Sequence, residues 1–445
     1  MSTLELRLDP DRVLADLREL AARTGGPAGA RRLAWTADWA AARDFLLERL
    51  AELPVTVDRD EAGNLWADLP GERAGFVIVG SHIDAVPSGG WLDGSLGVMT
   101  ALETLRAIAA SGAAPPVGVR LVDWADEEGA RFGRSLIGSS ACAGTLRPDD
   151  LRALRDADGT VQADAMAEHG VDADEIGRVR GRLDGALAYL ELHIEQGPVL
   201  LGHGWPAAAV SGTVGDERHV VTFTGEAAHA GSTPMATRRD PVAAAARATL
   251  AIREVGIAHG GVCTVGALRA DPGVVTAIAG SCELLLDQRH LDPETLAAML
   301  ADATSACEDA AREFGCEVRP ERIFSAAPTP FHPELVAAAR TAVADAGGGD
   351  HEPVPSGPLH DATEIGRLVP TAMVFAQSDP PISHTAVEDS PEFALRIAID
   401  AFGRTAATAI ALAAAGRLTP PDGARHPDPP STDPARPSDS SSTAA

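Results

Sequence analysis

Six side chains in this sequence have the types and spacing for metal-assisted hydrolysis. His82 and Asp93 lie in a Gly-rich stretch, Gly80-Ser81-His82-Ile83-Asp84-Ala85-Val86-Pro87 followed by Gly89-Gly90-Trp91-Leu92-Asp93-Gly94. Glu127 and Glu128 are adjacent in Asp123-Trp124-Ala125-Asp126-Glu127-Glu128-Gly129. His193 sits in Glu191-Leu192-His193-Ile194-Glu195-Gln196-Gly197, and His384 ends Ile382-Ser383-His384. Three imidazoles and two carboxylates make a two-metal site when one carboxylate bridges. Mixed nitrogen and oxygen donors without thiolate suit Zn²⁺, Mn²⁺, Co²⁺ or Ni²⁺. Adjacent glutamates do not readily face one ion together, so one is a ligand and the other a free general base. Asp84 follows His82 by two residues on an extended stretch. It is therefore expected to point the same way and hydrogen-bond the far nitrogen of His82.

These groups need a scaffold that brings them together. Phe76-Val77-Ile78-Val79 reads as a buried strand ending at the first polar cluster. Val117-Gly118-Val119-Arg120-Leu121-Val122 and Leu187-Ala188-Tyr189-Leu190 lead into the second and third clusters in the same way. If these strands are parallel, their carboxyl ends share one edge, where open α/β sheets form sites. Leu96, Met99, Leu102, Leu105 and Ile108 predict a helix near 95–110. Helices are expected over 9–52, and paired short strands at Val55-Thr56-Val57 and Asn64-Leu65-Trp66-Ala67. Region 147–185 reads as helical and polar. Residues 212–324 change rhythm: strand 217–224, helix 240–256, strand 262–269, strand 282–288, helix 293–314, strand 317–324. That β-α-β-β-α-β order is the ferredoxin-like pattern. A helix at 333–346, a strand at 371–375 and a helix at 391–415 complete the chain. The expected fold is α/β, a mostly parallel-sheet catalytic domain (1–211 and 327–418) interrupted by an inserted ferredoxin-like α+β domain (212–326). Beyond 418 the Pro-, Ser- and Asp-rich sequence reads as a disordered tail, 419–445.

The 445 residues carry a net charge of −27, from 37 basic and 64 acidic side chains. That balance argues against nucleic acid and anionic membranes as partners. No apolar run approaches 18 residues, so no membrane span is expected. The N-terminus lacks the basic and apolar regions of a signal peptide, and the reading is a cytoplasmic protein. Five scattered cysteines without a CxxC pair predict neither a zinc ribbon nor a disulfide framework.

With these motifs in order, about 10–418 resembles the M20-type metallopeptidase superfamily. Within it, the chain is similar to the hydantoinase/carbamoylase amidohydrolase branch: N-carbamoyl-L-amino acid hydrolases, allantoate amidohydrolases and microbial β-ureidopropionases. Further motifs carry the resemblance: Glu127-Glu128-Gly129-Ala130-Arg131-Phe132, Gly225-Glu226-Ala227-Ala228-His229-Ala230-Gly231-Ser232-Thr233-Pro234-Met235, and Asp287-Gln288-Arg289-His290. The block from His193 to Gly197 points to this branch, since the peptidases usually have Asp at the position of His193. The resemblance implies two divalent ions per subunit. Asp93 bridges them, Glu128 and His384 complete one position, and His82 and His193 the other. It implies that Glu127 is general base and acid, and that Asp84 orients His82. His229 is expected to reach the substrate carbonyl across a homodimer interface. Gln196, Thr276, Arg289 and Gly357 fall at substrate-binding positions, Arg289 as a bidentate clamp on a carboxylate. The inserted domain is then a lid and dimerisation surface. The segment around His360-Asp361 resembles a family Gly-x-x-His-Asp segment lining the pocket.

Three departures bear on substrate. Thr276-Ala277-Ile278-Ala279-Gly280 stands where the branch usually has Asn-Val-Ile-Pro-Gly. Asp379-Pro380-Pro381 precedes the last ligand motif, and Ala386 replaces a common Pro. The implied reaction is cleavage of the ureido C–N bond of an N-carbamoyl-L-amino acid, with allantoate or another ureido acid next. An aminoacylase or dipeptidase acting on an acyl amide is the alternative. A catalytically inactive ligand-binding homologue stands last, since neither a ligand nor Glu127 is missing.

Overall fold

The computed structural model describes residues 6–421. The expected tail falls mainly on 422–445, outside the described residues.

A nine-stranded sheet forms the centre. Its middle strands, Thr371–Ala376, Ala186–Ile194, Arg73–His82 and Val117–Trp124, pair in parallel in that spatial order. Consecutive side chains of a strand point to opposite faces, yet Val77, Ile78 and Val79 are all 0% exposed. Both faces are therefore covered, which is why these strands read as unbroken apolar runs. Antiparallel strands finish each margin. Leu65–Leu69 lies on Val117–Trp124, with Thr56–Arg59 outside it. Ala207–Thr213 lies on Thr371–Ala376 and in turn pairs with Thr329–Pro330 and Val354–Ser356.

All four parallel strands end at the same edge. His82 closes one strand, and His193 is the penultimate residue of another. The Glu127-Glu128 turn follows the third, and the His384 loop follows the fourth. Gly94 opens the helix Ser95–Ala110 at φ 62°. A Cβ there would lie 2.4 Å from the ring of His82, so only glycine lets the helix begin against that imidazole.

A second sheet has four strands in the order Val262–Asp271, Ser281–His290, Gly215–Thr224, Glu317–Ala326, every pair antiparallel. With helices Pro241–His259 and Pro293–Glu313 it is the expected β-α-β-β-α-β unit. Both helices begin at an Asp-Pro step: Asp240 and Asp292 accept backbone N–H groups, and the following Pro occupies a first-turn position. This unit has its own core of Phe223, Ala244, Ala248, Ile252, Leu284 and Cys307. The chain leaves the large sheet at Thr213 and returns at Thr329, directly opposite it.

The helix Glu392–Ala414 is long and apolar enough to cross a membrane, with a mean hydropathy of 1.4 over its best window. It is nonetheless a core helix. Ala398, Ile399, Ala401, Phe402 and Ala406 are buried, and it packs on Pro333–Asp345 and Thr371–Ala376.

Candidate active site

The polar edge lines a cavity of about 390 Å³ between the two sheets. His82, Asp93, Glu127, Glu128, His193, Gln196 and His384 face it from the large sheet, and Arg218 and Arg289 from the small one.

Asp93 is the centre of this cluster. Its Oδ1 lies 3.2 Å from His193 Nε2 and 3.8 Å from His82 Nε2. Its Oδ2 lies 3.3 Å from His384 Nε2, which is itself 3.3 Å from Glu128 Oε2. One carboxylate thus presents each oxygen to a different donor group: His82, Asp93 and His193, and Asp93, Glu128 and His384. Donors bound tetrahedrally to one ion at ~2.0–2.1 Å stand about 3.3 Å apart. The observed spacings fit that chelate.

The ring orientations also fit. His193 Nδ1 donates to the Ile194 carbonyl at 2.9 Å, so Nε2 is the nitrogen turned to Asp93. His82 Nδ1 lies 3.1 Å from the Asp84 carbonyl, which fixes its Nε2 toward the cavity in the same way. Burial lowers the His82 pKa to about 4, the neutral form a ligand needs. Burial pushes His193 down too, but the hydrogen bond and charge of Asp93 outweigh it and raise it to about 9. Glu128 Oε1 is buried without a hydrogen-bond partner, an orphan that a cation satisfies. The donors present fit divalent metal.

Glu127 is buried, with Oε2 3.6 Å from His82 Nε2. Burial first, then the charges of Asp361, Glu128, Asp84 and Asp93, push its carboxyl well above the usual range. Asp126, Gln196 and His384 all have φ between 56° and 60°, unusual for side-chain-bearing residues. Such backbone costs ~1–3 kcal/mol per residue and gathers at sites that need a side chain re-aimed.

A family model described as Peptidase family M20/M25/M40 matches residues 78–408. The chain belongs to that family. It is 36% identical over 380 residues to an N-carbamoyl-L-amino acid amidohydrolase of Geobacillus stearothermophilus, covering 84% of this chain and 91% of the relative. It is 34% identical over 368 residues to an allantoate amidohydrolase of Escherichia coli, covering 81% and 88%. A crystal structure of a hydantoinase/carbamoylase family amidase from Burkholderia multivorans superposes with a TM-score of 0.82 at 31% identity, covering 91% of this chain and 98% of that one. This M20 chain is a hydrolase of C–N amide bonds with a mostly parallel α/β sheet.

Other sequence expectations fare differently. The Asp84 carboxylate stands 3.7 Å from His82 Nδ1, too far for a hydrogen bond. It instead accepts the backbone N–H groups of Glu127 and Glu128, each at 3.2 Å. Asp84 therefore holds the glutamate turn, and its carbonyl, not its side chain, orients His82. Gln196 Nε2 donates to Asp93 Oδ2 at 2.9 Å, and Arg289 Nη1 donates to the Gly357 carbonyl at 3.0 Å. Arg289 already makes two hydrogen bonds to Asp287, at 3.0 and 3.2 Å. His229 and Thr276 lie on an exposed loop pairing, with His229 opposite Ala277. Neither lines the cavity within one chain. His360 does line it, its ring 4.4 Å from that of His193.

Sequence reading missed Arg218. Asp216-x-Arg218 and Asp287-x-Arg289 sit side by side on adjacent antiparallel strands, Arg218 opposite Asp287 and Arg289 opposite Asp216. The repeated Asp-x-Arg spacing was the available signal.

Proposed function

We propose that this M20 hydrolase is a two-metal amidohydrolase of ureido acids. It cleaves an N-carbamoyl-L-amino acid to the amino acid, ammonia and carbon dioxide. The observation that carries the reading is the division of Asp93 between two donor groups, with a further glutamate, Glu127, beside them that belongs to neither. His82, Asp93 and His193 would hold one ion; Asp93, Glu128 and His384 the other. The ions supply Lewis acidity and acidify water near neutral pH.

The side chains do the rest. Glu127, held by the Asp84-braced turn, takes the proton of the attacking water and returns it to the leaving amino nitrogen. Arg289 faces the metal cluster from the opposite wall and receives the substrate carboxylate, exchanging part of its bond to Asp287. Gln196 positions the ureido group. His229 and Thr276 reach substrate from a partner copy, with the inserted unit as lid and dimerisation surface. Amide cleavage gives the free amino acid and carbamic acid, which falls to ammonia and carbon dioxide, so one water balances the reaction.

Arg218 favours a second reading. Two guanidinium groups on the lid wall suit a ureido acid with a further hydrogen-bond acceptor, as allantoate has. The test is ammonia release by the Mn²⁺-loaded chain from N-carbamoyl-L-amino acids and allantoate, with N-acetyl amino acids and dipeptides alongside. Ammonia from a ureido acid is expected. Amino acid from the acyl substrates alone, without ammonia, would place the chain with aminoacylases or dipeptidases.

A further inference from the structure

We infer that Glu388 is a positioning residue that straps the bridging carboxylate to the His384 loop and sets the second metal position selectively. This rests on the two-metal reading above. Glu388 is 2% exposed and lies four residues beyond His384. Its Oε1 accepts two backbone N–H groups of the opposite loop, Asp93 at 3.1 Å and Leu92 at 3.3 Å. Its Oε2 receives the Ser383 hydroxyl. Ser383 Oγ also lies 3.1 Å from Asp93 Oδ2, the oxygen that faces His384. The Glu388 N–H closes the turn onto the Thr385 carbonyl at 3.1 Å. One carboxylate thus joins two loops, bonding across a separation of 295 residues, and meets each beside a metal donor.

The fit is tight. A Cβ on Gly90 would lie 2.0 Å from Glu388 Oε1, so Gly90 is bare backbone where this side chain enters.

The selectivity follows from what holds each donor. His82 and His193 belong to paired strands of the large sheet, and their Nδ1 atoms are fixed by neighbouring carbonyls. Neither needs Glu388. His384 is on a loop at positive φ with its side chain 50% exposed. Its distance to Asp93 Oδ2 depends on the contacts that Glu388 and Ser383 make.

The experiment titrates metal-free wild type, Glu388→Gln and Glu388→Ala with Zn²⁺ calorimetrically, with thermal melts in parallel. Wild type is expected to take two ions in two steps. Glu388→Ala should keep the tighter step within about threefold and weaken the other ~10–100-fold. Glu388→Gln should keep both, because its amide oxygen still accepts the Leu92 and Asp93 N–H groups. Two unchanged steps in Glu388→Ala, or equal weakening of both in a folded protein, would overturn the strap. If Glu388→Ala does not fold, Ser383→Ala opens the strap at its other end and must weaken the second step alone; equal loss there overturns it too. A wild type that binds one ion overturns the two-metal reading itself.

Discussion

His82 and His193 hang from the ends of two sheet strands and are 1% exposed, whereas His384 stands on a loop with half its side chain in solvent. Both groups converge on the same carboxylate from opposite sides. The strand-borne half is fixed by the sheet register and by backbone carbonyls. The loop-borne half is fixed by side chains: Asp84 under the Glu127-Glu128 turn, and Ser383 and Glu388 of its own loop beside His384. A site built this way has one position that forms with the fold and one that can be lost without it.

The largest effect should come from the shared element. Asp93→Asn removes charge from both positions, so both ions should be lost and turnover should fall by more than ~10⁴-fold. Metal content after dialysis and steady-state rates check this. Retention of one ion would show that the halves do not share Asp93. Glu127→Gln comes next. Two ions should remain while kcat falls ~10²–10⁴-fold, and near-normal turnover would refute its role as base.

Comparing the two halves directly gives a smaller effect with opposite readouts. His193→Ala and His384→Ala should each cost one ion. Only His193→Ala should also cost ~1–3 kcal/mol of stability in the metal-free protein, because it takes the imidazole from a buried carbonyl and from Asp93 Oδ1. His384→Ala should stay within about 0.5 kcal/mol of wild type in a denaturant melt. Equal destabilisation would erase the distinction.

The buried pair also differs from itself in pH response. His193 carries a proton below about 9 in the metal-free chain, and His82 is neutral above about 4. Binding the first ion must displace the His193 proton. Affinity for that ion should therefore rise about tenfold per pH unit from 6 to 8 and level off above about 9. Calorimetry in buffers of different ionisation heat should count close to one proton released. A flat profile would contradict the pairing of His193 with Asp93. The smallest effect is expected at the lid wall: Arg218→Leu should raise KM for allantoate about tenfold and leave N-carbamoyl amino acids within a fewfold range.

The strand-borne half was legible in the sequence because each donor follows an apolar run that needs no partner to be recognised. The inserted unit was legible from its alternation of strand and helix periods. Ala207–Thr213 was not, since Ala-Ala-Ala-Val-Ser-Gly-Thr has little strand preference and takes its place from its neighbours. The roles of Asp84 and Glu388 were hidden for a different reason. Asp84 reaches residues more than 40 positions away, and Glu388 reaches almost 300, so no local spacing signals either. Adjacent residues can also mislead: Asp84 was placed correctly beside His82, but its carboxylate turns to the glutamates.

The most direct test follows ammonia release from an N-carbamoyl-L-amino acid while Zn²⁺ is added stepwise to the metal-free chain. Two unequal positions sharing Asp93 predict no ammonia without metal and full activity only as the second equivalent binds. Full activity in the chelated chain, or none from any ureido acid at two bound equivalents, would contradict the account.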